Sequence, residues 1–69
     1  MNLQFKTNQL LSHLALVFQQ TNHIAAYNSY SYAEYYFRLL MEQGHKPEDK
    51  YDGIMHAAWR HCEELDDKA

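Results

Sequence analysis

The chain has 69 residues, a single cysteine and a net charge of −3. That leaves room for one domain and excludes a disulfide-stapled mini-protein and an enzyme fold of ordinary substrate-enclosing size. Hydrophobic residues make up 46% and charged residues 22%, a globular balance without the basic footprint that nucleic acid or anionic lipid calls for.

Lys6 ahead of the apolar stretch Leu10 to Phe18 superficially matches a secretion signal. Ser12, His13 and the run Gln19-Gln20-Thr21-Asn22-His23 make it too polar for one. No apolar run approaches the roughly 20 residues that cross a bilayer. The reading is a soluble, cytoplasmic protein in a reducing compartment, with no membrane partner. Strand formers are scarce beside Leu, Ala, Gln, Glu and Met, which favours an all-α chain.

The first helix is expected at about 8–27, with Thr7 or Asn8 as its cap. Leu10, Leu14, Val17, Thr21 and Ile24 recur at spacings of four and three, flanked by Leu11, Phe18 and Ala25. This is one face of an amphipathic helix. Gln9, Ser12, Gln19, Gln20 and Asn22 form the opposite face, polar but almost uncharged.

The second helix is expected at about 31–43. Ser31-Tyr32-Ala33-Glu34 has the spacing of a capping box, and Gly44 is placed for the left-handed C′ conformation. The alternative is that residues 28–31 stay helical and join the first two segments into one long helix. Continuing the first stripe in heptads lands on Asn28, Ser31, Arg38 and Glu42, all polar, which favours a break there.

The third helix is expected at about 47–66. Pro47 suits its first position, and Glu48 and Asp49 suit the positive end of its dipole. Tyr51, Met55, Ala58, Cys62 and Leu65 form its stripe, with Ile54 and Trp59 alongside. Gly53 weakens it by about 1 kcal/mol relative to alanine. Glu63, Glu64, Asp66 and Asp67 oppose the dipole at its end, so the acidic terminus, 66–69, is expected to fray.

The expected fold is therefore a small three-helix bundle or a long helical hairpin. Either version buries Leu10, Leu14, Val17, Phe18, Ile24, Tyr36, Leu40, Met55, Ala58, Trp59, Cys62 and Leu65. Tyr27, Tyr30, Tyr32, Tyr35, Tyr36 and Phe37 crowd into eleven positions and lead into Leu39, Leu40 and Met41. A helix apolar nearly all round needs cover on most sides, and so short a chain supplies little core of its own. These points predict completion by homodimerisation, with Tyr30, Tyr32, Tyr35, Tyr36, Phe37, Leu39, Leu40 and Trp59 as the interface.

Chemistry is poorly signalled. His56 and His61 stand five apart and His13 and His23 ten apart, against the spacing of four that brings two imidazoles to one metal. Cys62 lies on an apolar stripe among acids, the setting of a small core hydrophobe and not of a nucleophile. No catalytic motif, metal site or cofactor is expected. The Gly44 to Pro47 turn between helices gives a second reading, a helix-turn-helix DNA-binding regulator contacting phosphates through Lys46, Lys50, His56 and Arg60. Interleaved acids weigh against it.

The leading expectation is a non-enzymatic interaction or regulatory module, a homodimer that binds an unidentified protein partner. In size and general character the chain resembles small accessory proteins of phages and mobile elements, a likeness that no particular residue carries.

Overall fold

The computed structural model describes residues 3–44 and 49–69, with Lys50 described by its backbone alone. Three helices follow one another, α1 (Leu3–Gln19), α2 (His23–Glu42) and α3 (Asp49–Asp67). The all-α expectation holds, and of the two arrangements the three-helix bundle forms, not the hairpin. Lys6 at the start of α1 meets Gln43 just past the end of α2, so these helices are antiparallel. His23 at the start of α2 lies 3.9 Å from Asp66 near the end of α3, so that pair is antiparallel too. The result is an up-down-up bundle about 38 Å long and 20 Å wide.

The first break lies earlier than expected. The α1 helix ends at Gln19, and Asn22 caps α2 with extended backbone angles. Its Oδ1 accepts from the amides of Ile24 (2.9 Å) and Ala25 (3.2 Å). A short amide side chain that competes for backbone donors favours a cap over a helix interior, and here it wins over the apolar spacing that runs on to Ile24. Ile24 consequently stands in the first turn of α2, 68% exposed, and leaves the expected core. The Ser31-to-Glu34 capping box is unused because its amides lie inside α2. The Ser31 hydroxyl donates instead to the Tyr27 carbonyl (3.0 Å), and Glu34 pairs with Arg38.

Other boundaries shift as well. The α1 helix begins at Leu3, so Thr7 lies inside it and donates its hydroxyl to the Leu3 carbonyl. Asn8 accepts from Gln4. At the end of α2, Gly44 takes φ of +76° and its amide donates to the Met41 carbonyl (3.0 Å), the left-handed stop expected of it. Pro47 and Glu48 lie outside the described residues. The acidic end of α3 is helical through Asp67 and closes with turn bonds from the amides of Lys68 and Ala69.

Leu10, Leu14, Val17, Leu40, Met55, Ala58 and Cys62 are buried as their stripes predict. The surprise is α2, whose inward face is built from Ala26, Ser29, Ala33 and Leu40. Small side chains let α1 approach closely, and α1 with α2 forms the most extensive pairing. Tyr27, Tyr30, Tyr36 and Phe37 then pack around this core instead of filling it. Tyr36 and Leu65 are only half-buried, and Phe18 and Trp59 remain exposed. Phe18 and Trp59 sit at the edges of their stripes, where no third helix closes over them. Lys6 is buried, its Nζ donating to Gln43 Oε1 while its stem lies along the core.

Two substitutions test this local reading. Asn22→Ala removes the acceptor for two amides and should cost about 1 kcal/mol in chemical denaturation. Gly53 is exposed within α3, and a methyl added there would meet only open space. Gly53→Ala should therefore stabilise by about 0.5–1 kcal/mol and raise the melting temperature.

Candidate functional site

Two surfaces of different character flank α2. The first joins α2 to α1. His13 stacks on Tyr32 (ring centroids 5.1 Å) and on Tyr36 (5.8 Å). Tyr36 also meets Phe5 edge-on at 6.4 Å and Tyr35 at 5.1 Å. Tyr32 and Tyr35 are each about half exposed, at 51% and 52%. A shallow hollow of about 330 Å³ lies between Asn28, Ser31 and the three tyrosines.

This face is almost without charge. The whole of α1 contains one charged residue, Lys6, and that residue is buried. Its outward positions are amides, small residues and large apolar side chains, with Leu3, Phe5, Leu11, Leu16 and Phe18 all exposed. Phe5, His13 and Leu16 lie outside the interface set that the sequence suggests. Their signal in the sequence is a helix whose polar face carries no ions.

The second surface is a groove of about 650 Å³ between α2 and α3. Tyr30, Phe37, Met41, Met55 and Trp59 make it apolar. Trp59, 42% exposed, is propped between Tyr27 (5.4 Å) and Tyr30 (5.2 Å). The lips are polar: Glu34 and Arg38 on α2, joined by a 3.0 Å ion pair, and Asp52 and His56 on α3. Bulky rings on this side hold α3 away from α2, whereas the small residues on the other side draw α1 in.

The expected interface set therefore divides. Leu40 is fully buried within the chain and belongs to the core, a correction to its expected role. Tyr32, Tyr35 and Tyr36 belong to the α1–α2 face, and Tyr30, Phe37 and Trp59 to the groove. Leu39 is half-buried and lines neither hollow.

Two residues of the DNA-binding reading, His56 and Arg60, have described side chains. Lys46 lies outside the described residues, as does the side chain of Lys50. His56 and Arg60 are exposed on α3, a helix that carries six acids against two bases. Among the described residues, no group of three metal-ligating side chains comes together. His61 donates from Nε2 to the Gln20 carbonyl (3.0 Å), tying α3 to the end of α1. Cys62 is fully buried, and that burial pushes its thiol pKa up, which suppresses the thiolate a nucleophile needs. Among the described residues, no helix is long and apolar enough to cross a membrane.

Comparison with protein-family models, curated proteins and solved structures finds no match to this chain. Function must be argued from the two surfaces themselves.

Burial raises the pKa of both Tyr27 and Tyr30. Asp66, Cys62 and Glu63 push Tyr27 further, while Glu34 and Cys62 push Tyr30 further against a smaller opposing pull from Arg38. Folding holds these phenolic protons, so their contribution to stability is complete below the ordinary tyrosine pKa of about 10 and is lost as pH rises through the folded values. Phenolate absorbance should show a fraction titrating above that range in the native protein and returning to it in denaturant. Melting temperature should fall over the same alkaline interval.

Proposed function

We propose that the protein is a small non-enzymatic interaction module that acts as a homodimer, joined through the α1–α2 face and serving a protein partner through other surfaces. The observation that carries this reading is the uncharged outer surface of α1. A helix exposed to water on a monomer ordinarily carries a polar, ion-bearing face. Here that face offers exposed Phe5 and Leu16 beside a layer of stacked rings.

Size and charge agree. An ordinary interface takes about 800 Å² from each partner, and one broad face of a body 38 Å by 20 Å supplies an area of that order. A two-fold dimer presents the same patch twice, which an uncharged patch tolerates without repulsion. Pairing through α1 and α2 also keeps the acidic α3 helices of two negatively charged copies apart. Tyrosine suits such a face because its ring buries area while its hydroxyl stays hydrated. Size and character fit the accessory proteins of phages and mobile elements.

Light scattering across a concentration series tests the reading. The wild type should approach twice the chain mass of 8.2 kDa. Tyr32→Glu places a charge at the centre of the face and should weaken association at least about tenfold while leaving helical content and melting of the monomer nearly unchanged. A wild type that stays near 8.2 kDa at high concentration removes the dimer from the proposal.

A further inference from the structure

The α2–α3 groove faces away from the tyrosine face, and it differs from that face in having charged lips. We infer that it is the docking site for a cationic amphipathic helix of a partner protein. This names the partner chemistry of the interaction module and rests on that reading, but it does not depend on the dimer.

Shape supplies the first argument. Along α2 the groove runs from Tyr30 to Met41, eleven helical steps and so about 16 Å, or three turns of a helix laid alongside. Two antiparallel helices splayed around an apolar floor are the usual receiving surface for a third, whose large apolar residues enter at i, i+3 or i+4, and i+7. The floor suits that use. Met41 and Met55 adapt to different side-chain shapes, and Trp59, already braced by Tyr27 and Tyr30, gives a rigid aromatic anchor at little further entropic cost.

Charge selects the occupant. The α3 helix carries six acids and two bases, and α2 carries two acids and one base. Among the side chains that line the groove, Glu34 and Asp52 outnumber Arg38, and with histidines neutral the two helices as wholes hold a net charge of −5, against +1 on α1. At the Trp59 end, Glu34 stands on one lip and Glu63 follows one turn along α3. A helix flanked by lysines or arginines is drawn to this field. An acidic helix, a phosphate backbone and an anionic membrane are all repelled by it.

The test uses three synthetic helical peptides of equal length: one with a leucine stripe flanked by lysines, one with the same stripe flanked by glutamates, and one with the lysine peptide's residues scrambled. Trp59 is the chain's only tryptophan, so its fluorescence reports occupancy directly. The lysine peptide should shift the emission and saturate. The glutamate and scrambled peptides should bind at least about tenfold more weakly, and added salt should weaken the lysine peptide.

Met41→Lys, at the exposed edge of the floor, should weaken the lysine peptide by about tenfold or more with helical content unchanged. It guards against the chance that Trp59→Ala perturbs the fold. Tyr32→Glu should leave peptide binding intact, so failure of the dimer and failure of the groove give different results. Equal binding of all three peptides, or lysine-peptide binding indifferent to Met41→Lys, overturns the assignment. So does an unresponsive Trp59.

Discussion

The carboxamide of Asn22 accepts the amides of Ile24 and Ala25, and the place of that cap decides which side of α2 turns inward. With the helix restarted at His23, Ala26, Ser29, Ala33 and Leu40 fall on one stripe and meet α1. That stripe of mostly small residues goes with close packing of α1 on α2 and with Tyr32 and Tyr35 standing outward.

Much of the architecture is legible before folding, for reasons tied to particular residues. Leu10, Leu14 and Val17 lie near the centre of their stripe, and so do Met55, Ala58 and Cys62. Such positions are buried whatever the exact helix ends. Gly44 is legible because a positive φ at a helix terminus suits few other residues. Edge positions are not legible in the same way. Phe18 and Trp59 flank their stripes, and whether a flank is covered depends on how far a neighbouring helix reaches, which spacing along one segment does not encode. The break is ambiguous in the sequence for a related reason. Both Asn22 and the Asn28–Ser31 segment offer capping chemistry, and choosing between them needs the tertiary fit of small residues against α1.

The excess of apolar surface is also placed differently from where composition suggests. Density of rings points to α2 as the helix needing cover. Folding meets most of that need by setting Tyr27, Tyr30, Tyr36 and Phe37 around the core edge. The unmet need lies on α1, whose one ion is turned inward to Gln43. Counting hydrophobic residues misses this, because a surface is made unusual as much by missing charge as by present grease. The two surfaces differ accordingly: a neutral face on α1 and α2, and an apolar groove with Glu34, Arg38 and Asp52 on its lips.

Cys62, fully enclosed between three helices, has a practical consequence. A thiol so placed meets an alkylating reagent only when the helices part, so the rate of its modification measures how often the native molecule opens. The same residue reports on anything that binds the closed form, since a ligand that holds the helices together slows the reaction in proportion to its hold. The molecule thus carries a built-in gauge of its own breathing, read without attaching any label to the surfaces under study.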